Sequence, residues 1–256
     1  MSATAPRVPP RQRVIKALWH GVDPFWGFPP KLFVTDASGW NSDHPFLSLE
    51  IDRLRPDLVV EVGVWKGGST LTMANRMRAI GHDGVVIAVD TWLGSAEHWM
   101  DSKQLAELSP QNGYPQLFYK FMNNVLAADL WRHVVPLPID SVNAAIVLAA
   151  KQLQPTLIHI DASHDYPSVT GDLDRWWALL QPGGVMIVDD YDQTRQVWPS
   201  VGQAVDDFLA RTAHHDFLAQ PYKCRFTKPV QPAPPADQTP QGTKGMPRWS
   251  AANTAS

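Results

Sequence analysis

The stretch DLVVEVGVWKGGSTL, residues 57–71, joins an apolar run to a glycine-rich turn and the start of a helical pattern. The apolar run is nearly continuous, which is typical of a strand buried on both faces of a parallel sheet. Gly63 permits a tight turn after this strand, and Gly67 and Gly68 let the backbone come close to a ligand before Ser69 opens the helix. The stretch therefore predicts a strand, a ligand-binding turn and a helix.

The rest of the central region repeats this alternation. Further buried strands are predicted from GVVIAVD (84–90), HVVPLP (133–138), TLIHID (156–161) and GVMIVDD (184–190). Helical patterns cover residues 69–80, 140–153 and 168–180, and Asp140 or Ser141 is a plausible N-cap of the second. Strand-helix alternation with short connections predicts an α/β fold with a doubly wound, mostly parallel sheet. Such sheets bind ligands outside the carboxyl ends of their strands.

Composition excludes several classes of partner. The chain has 256 residues, of which 44% are hydrophobic, and its 22 basic and 25 acidic residues give a net charge of −3. No basic stripe suited to nucleic acid is present, and no apolar segment is long enough to span a membrane. The first residues lack the apolar core of a signal peptide, and the single cysteine, Cys224, cannot form an internal disulfide. We therefore expect a cytoplasmic protein that binds neither nucleic acid nor membrane.

Five segments together resemble a known family. They are VVEVGVWKGGST, VIAVDTW, PLPIDS, LIHIDASHDY and LLQPGGVMIVDDY. In order and spacing they are similar to the class I S-adenosylmethionine-dependent methyltransferases, and within these to the metal-dependent sugar and small-molecule O-methyltransferases of the macrocin and mycinamicin type. The resemblance implies a seven-stranded Rossmann-like sheet and S-adenosylmethionine as cofactor.

The resemblance also implies the cofactor site. Residues around the methionine part of the cofactor would be Glu61, Gly63, Gly67 and Ser69, and Asp90 would hold the ribose. Trp92 would flank the adenine, with Asp140 and Ser141 near its amino edge. The glycine spacing departs from the Gly-x-Gly-x-x-Gly fingerprint of dinucleotide folds, which argues against an NAD-dependent dehydrogenase.

Carboxylates end two strands that are neighbours in this fold. Asp161 follows the fourth strand, and Asp189 and Asp190 end the fifth, so the three would meet at one sheet edge. Clustered carboxylates raise one another's pKa or bind a hard cation such as Mg²⁺. Consecutive strand residues point to opposite faces, so both Asp189 and Asp190 can be ligands only if the chain turns between them. The family implies this turn; in the alternative, one of the two caps a turn or contacts backbone.

His164 lies three residues beyond Asp161, past the end of the strand. The unperturbed pKa of histidine, about 6.5, suits it to accept a proton from a hydroxyl group. The matching position in the macrocin and mycinamicin type is a proposed general base, and Asp165 is a candidate to orient it. A surface histidine is the alternative. We therefore expect His164 and Asp161 to be catalytic, with a sugar or another vicinal diol as the hydroxyl acceptor.

The predicted organisation has three parts. Residues 1–43 form an N-terminal helical and loop extension that contributes to the acceptor site or a lid, and its opening residues to about Arg13 lie loose on the surface. Residues 44–227 form the methyltransferase domain, and residues 228–256 a disordered, proline-rich tail. A homo-oligomer is possible. A metal-independent methyltransferase and a non-catalytic cofactor-binding protein remain alternatives.

Overall fold

A single sheet organises the chain, of which the computed structural model describes residues 8–29 and 31–230. Its strands are β1 Leu58–Val62, β2 Val85–Val89, β3 Val134–Leu137, β4 Leu157–Ile160, β5 Val185–Asp189, β6 His215–Gln220 and β7 Lys223–Thr227. They lie in the order β3-β2-β1-β4-β5-β7-β6. The first five strands run parallel, and β7 is antiparallel to both β5 and β6.

Helices cover both faces of this sheet. They are α1 Pro10–Leu18, α2 Pro45–Leu54, α3 Gly68–Ala79, α4 Ala96–Met100, α5 Ser102–Glu107, α6 Leu117–Ala127, α7 Ser141–Ala150, α8 Tyr166–Leu179 and α9 Pro199–Arg211. On one face, α1, α7, α8 and α9 pack against alternate strand residues such as Val60 and Ile158. On the other face, α2 and α3 pack against Val59 and Leu157. The predicted doubly wound, mostly parallel seven-stranded sheet is confirmed.

The five strands predicted from apolar runs are present, each within one residue of the predicted bounds. The final hairpin of β6 and β7 was not located in the sequence. All but one of the residues of β6 are exposed, because this strand forms the edge of the sheet. An edge strand of this kind carries no long apolar run, so the pattern that marks the central strands is missing.

The prediction of a loose N-terminus to about Arg13 is wrong from residue 10 onwards. Helix α1 begins at Pro10, and its residues Val14 and Ile15 are buried in the core. Arg11 forms an ion pair with Asp23. The apolar side of this helix packs on β3, which the count of prolines and basic residues did not reveal. Residues 1–7 lie outside the described part.

The predicted tail begins with a fixed residue. The ammonium of Lys228 donates hydrogen bonds to the carbonyls of Trp177 and Leu180 at the end of α8. Its backbone also pairs with Gly183 and Gly184. Lys228, which the prediction assigned to the tail, is therefore held against the domain, and residues 231–256 lie outside the described part. Within the residues described, no helix has both the length and the apolarity that crossing a membrane requires.

Candidate functional site

A cavity of about 940 Å³ opens at the carboxyl ends of the central strands. This volume lies in the upper part of the range of small-molecule sites, about 300–1,000 Å³. One side of its wall comes from the turn after β1 and from Asp90, and the other from residues 161–164 and Asp190. Residues Gly39, Trp40 and Ser42 also line it. A ligand here would contact both the glycine turn and the strand-end acids.

The glycines of the turn are required by close packing. Gly63 has φ +83°, and a Cβ atom there would lie 1.9 Å from the carbonyl oxygen of Asp161. Gly67 has φ +93°, and a Cβ atom there would lie 2.8 Å from the ring of Phe121. Gly63 lines the cavity and Gly67 does not. The glycines therefore bring the turn against β4 and α6, which shapes the cavity wall.

Asp90 holds the same turn from the next strand. Its carboxylate accepts hydrogen bonds from the backbone N–H groups of Val64 and Trp65, at 2.8 and 2.9 Å, and from that of Trp92 at 2.7 Å. Burial raises the pKa of Asp90 despite these bonds. Its side chain is on the cavity wall. Asp90 thus organises the turn, and its bond to a ribose stays a prediction.

Glu61 and Trp92, like Gly67, are predicted cofactor residues that do not line the cavity. Glu61 is fully buried, and its carboxylate accepts hydrogen bonds from the hydroxyls of Ser69 and Thr70. Trp92 is 1% exposed and donates its indole N–H to the carbonyl of Trp65. Its ring packs on Phe118 and Phe121 in the core. It therefore presents no face to the cavity, contrary to the expectation that it flanks the adenine.

Three other predicted cofactor residues are on the wall. They are Ser69, Asp140 and Ser141. Asp140 is the N-cap of α7 and accepts a hydrogen bond from the backbone N–H of Asn143. The hydroxyl of Ser141 donates to Asp172, and Trp176 donates its indole N–H to that hydroxyl. Contact of all three with a cofactor stays a prediction.

The predicted metal ligands separate into two groups. Asp189 is buried and forms an ion pair with Lys223, with 2.6 Å between Oδ2 and Nζ. Asp190 has φ +57°, so the chain turns between the two residues as the family implied. The carboxylate of Asp190 consequently faces the cavity, where it meets His164.

Asp161, the third predicted metal ligand, belongs to neither of these pairs. Its side chain lies on the cavity wall, and no hydrogen bond or ion pair to it is formed within residues 8–29 and 31–230. Burial and the charge of Asp189 raise the pKa of Asp161 well above its usual range. Oxygen or nitrogen atoms of His159, Asp161 and Asp189 lie within 4.8 Å of one another.

His164 lies on the cavity wall in contact with Asp190 and Trp198. Its Nε2 lies 3.0 Å from Oδ2 of Asp190, and its ring stacks on Trp198 with 3.8 Å between ring centroids. The predicted orienting residue, Asp165, is wrong, because Asp165 caps α8 by accepting from the N–H of Ser168. The carboxylate that contacts His164 is instead that of Asp190.

Sequence reasoning missed the buried polar groups beneath the cavity. His159 and Lys223 are both fully buried, and Lys223 donates to Nε2 of His159 at 3.0 Å. The opposite ring nitrogen, Nδ1, lies 3.0 Å from Glu61. The available signal was a histidine inside the apolar run LIHI of β4. A polar residue in a fully buried strand needs a partner, which the sequence does not identify.

A second missed residue is Lys66 of the glycine turn. Its side chain is 5% exposed, and its ammonium lies 2.6 Å from Asp36 and 2.7 Å from Glu107. Asp36 belongs to the segment of residues 31–44 that crosses the cavity, and Glu107 ends α5. Asn124 also binds this segment, by donating to the carbonyl of Asp36. Lys66 therefore joins the turn to residues 31–44 and to α5.

The sequence matches the family described as "Methyltransferase domain" over residues 60–191, more than half of the chain. The chain belongs to this methyltransferase family. The match covers every strand that contributes acids to the cavity and the turn that precedes α3. The chain therefore carries a methyltransferase domain.

Solved structures share the fold at low sequence identity. The O-methyltransferase NovP is 21% identical, with a TM-score of 0.54 over 72% of this chain and 77% of its own. TomG, an O-methyltransferase from Streptomyces achromogenes involved in tomaymycin synthesis and solved with S-adenosylmethionine, is 14% identical, with a TM-score of 0.52 over 76% and 82%. An O-methyltransferase from Bacillus cereus, solved with S-adenosylhomocysteine, is 16% identical, with a TM-score of 0.51 over 88% and 92%.

A curated relative is the uncharacterized protein y4gI of Sinorhizobium fredii, which is 26% identical over 158 residues. The alignment covers 62% of this chain. The chain spans only 16% of the length of that relative.

Proposed function

We propose that this enzyme transfers a methyl group from S-adenosylmethionine to a hydroxyl of a small molecule, a sugar or another vicinal diol. The observation that carries the proposal is the His164–Asp190 pair, at 3.0 Å, on the wall of the cavity that also contains the glycine turn. This arrangement suits methylation of a hydroxyl, because the turn can hold the cofactor while the histidine takes the proton. The O-methyltransferases of similar fold add support.

The protein has two tasks in this reaction, to align the acceptor oxygen and to remove its proton. A sulfonium already activates the methyl group, so the site has to align the acceptor oxygen behind that carbon. The oxygen also has to lose its proton. With Nε2–H of His164 donating to Asp190, Nδ1 is left to accept the proton of the hydroxyl. The carboxylate of Asp190 then stabilises the imidazolium that forms.

Aromatic residues at the opening support a sugar-like acceptor. Trp40 lines the cavity and is 69% exposed, and Trp198 lines it beside His164. An exposed ring can pack against the apolar face of a sugar, and the strand-end acids can accept its hydroxyl hydrogens. This feature supports the acceptor class and does not select one compound.

A divalent cation bound at the strand-end acids was also predicted as part of this function. The unpaired carboxylate of Asp161 favours it, because a bound cation would stabilise that group and lower the pKa of a coordinated acceptor hydroxyl. The predicted set as a whole does not fit a cation, since Asp189 is paired with Lys223 and Asp190 with His164. No step of the proposed mechanism therefore depends on a metal.

Binding of the cofactor product tests the proposal directly. Calorimetry should show S-adenosylhomocysteine binding at micromolar concentration or below, and Asp90→Ala should weaken it at least tenfold, about 1.4 kcal/mol. Asp129→Ala, at an exposed position between α6 and β3, is the matched control and should bind normally. Binding of NADH without S-adenosylhomocysteine would contradict the proposal. Transfer of a labelled methyl group to a panel of sugars and catechols then identifies the acceptor class.

A further inference from the structure

We propose that the ammonium of Lys223 takes the place of a divalent cation in the carboxylate cluster beneath the cavity, so that this enzyme works without a bound metal. The cluster consists of Glu61, His159, Asp161, Asp189 and Lys223. The inference rests on the proposed function, since the cluster adjoins the site where the acceptor hydroxyl would bind. It accounts for the disagreement between the metal site predicted from the sequence and the contacts in the structure.

The position of Lys223 is the first observation. Its side chain is fully buried, and its Nζ lies 2.6 Å from Oδ2 of Asp189 and 3.0 Å from Nε2 of His159. These two atoms belong to residues that, with Asp161, are close enough to hold a metal ion. A positive group is therefore already bound by two of the three available ligands.

The ring of His159 is the second observation. A protonated lysine only donates hydrogen bonds, so Nε2 of His159 accepts from Lys223 and its Nδ1–H donates to Glu61 at 3.0 Å. Both ring nitrogens are used. A metal could bind His159 only after one of these buried hydrogen bonds is broken, and the group left behind would be unpaired.

The sheet limits movement of the lysine. Residue 223 begins β7, which is antiparallel to β5, and it lies directly opposite Asp189 in the register of the two strands. Its neighbours along β7, Cys224 and Phe226, are buried in the core. Withdrawal of the ammonium would leave Asp189 buried and unpaired, which is strongly unfavourable.

Only one carboxylate of the predicted set is left for a hard cation. Asp190 is engaged by His164, which leaves Asp161 as the one member of the predicted set without a hydrogen bond or ion pair among the described residues. Water can complete the octahedral shell of Mg²⁺, but the ammonium of Lys223, bound to the neighbouring Asp189, would repel a cation held by Asp161. The contacts thus favour a site neutralised by lysine over one completed by metal.

Direct titration with Mn²⁺, followed by electron paramagnetic resonance, tests this inference without an acceptor. We expect the full-length protein to show no site with a Kd below about 1 mM, whether or not S-adenosylhomocysteine is present. Lys223→Met and Lys223→Gln should each tighten Mn²⁺ binding at least tenfold, because they leave the carboxylates without a cation. Lys228→Met removes a half-buried lysine bound to backbone carbonyls of α8, and should change nothing.

Two results would overturn the inference. One is a wild-type site of micromolar affinity that Asp161→Asn or Asp189→Asn abolishes. The other is a folded Lys223→Gln or Lys223→Met protein with no gain in affinity. If both variants fail to fold, the wild-type titration still decides, because tight binding contradicts the inference and its absence agrees with it. Failure to bind S-adenosylhomocysteine contradicts the proposed function instead, so the two failures are distinguishable.

Discussion

A buried lysine lies behind each wall of the cavity: Lys66 in the glycine turn, on the proposed cofactor side, and Lys223 beneath the strand-end acids, on the proposed acceptor side. On the cofactor side, Lys66 bonds Asp36 and Glu107, whose side chains are 46% and 55% exposed. On the acceptor side, Lys223 bonds Asp189, whose side chain is 2% exposed. The first lysine joins surface segments to the glycine turn, and the second neutralises a carboxylate inside the protein.

This difference shows that similar ion pairs can serve different purposes. An exposed carboxylate keeps most of its hydration, so losing its partner has a small effect on stability. A buried carboxylate that loses its partner retains a charge without solvent, which is much more destabilising. We therefore expect changes on the acceptor side to affect catalysis and folding strongly, and changes at Lys66 to affect mainly residues 31–44 and α5.

The largest expected effect is at His164, on the acceptor side. His164→Ala should lower kcat by about 10²- to 10⁴-fold, the usual contribution of a general base, with little change in affinity for S-adenosylhomocysteine. Steady-state kinetics with an identified acceptor and calorimetry measure the two quantities. His98→Ala, at another histidine on the cavity wall, is the control and should retain most of the activity. A fall of less than threefold in the His164 variant would mean that another group takes the proton.

A smaller effect is expected at Lys66, on the cofactor side. Lys66→Met should lower the free energy of unfolding by about 1 kcal/mol, because its partners are largely solvated. Residues 31–44 and α5 should become more sensitive to limited proteolysis, while β5 and β7 stay protected. Lys103→Met, at an exposed position on α5, provides the control. If Lys66→Met destabilised the whole protein as strongly as Lys223→Met, the distinction between the two lysines would be wrong.

A still smaller effect is expected on the stability that the Lys66–Asp36 ion pair contributes at low pH. The hydrogen bond from Lys66, followed by that from Ser38, lowers the pKa of Asp36 from 3.8 to about 2. A carboxyl whose folded-state pKa is lowered contributes stability that is present above its unfolded pKa and lost as pH falls toward about 2. Urea unfolding at pH 5 and pH 3 should show this loss in the wild type and less of it in Lys66→Met. Its size should be under about 1 kcal/mol, because Asp36 is half exposed.

On the acceptor side, the stability that Asp161 contributes changes with pH in the opposite direction. Its pKa is raised by burial and by Asp189, so its contribution to stability is most favourable at low pH and is lost as pH rises through the raised value. Asp161→Asn should therefore reduce the loss of stability between pH 5 and pH 8, as measured by the same urea unfolding. An unchanged slope would show that Asp161 does not titrate in this way.

The central strands and the glycine turn could be predicted because their signals are local. Each strand of the parallel core is a short apolar run. Asp90 directly follows β2, and its carboxylate binds the turn after the neighbouring strand β1. Position in such a sheet follows from strand order, so acids at the strand ends were expected near one another. The edge strand β6 was missed because it is mostly exposed. The start of the N-terminal helix was missed because α1 begins within a proline-rich stretch.

The amino-acid sequence by itself determined the parallel core, the turn after β1 and the collection of acids at the strand ends, because these depend on residues that are close in the chain. Only the tertiary structure decided which group each acid meets. Lys223 reaches His159 across 64 positions of the chain, and His159 reaches Glu61 across 98. Such partners are brought together by the order and register of strands, and whether a carboxylate meets a cation, a lysine or a histidine depends on that register.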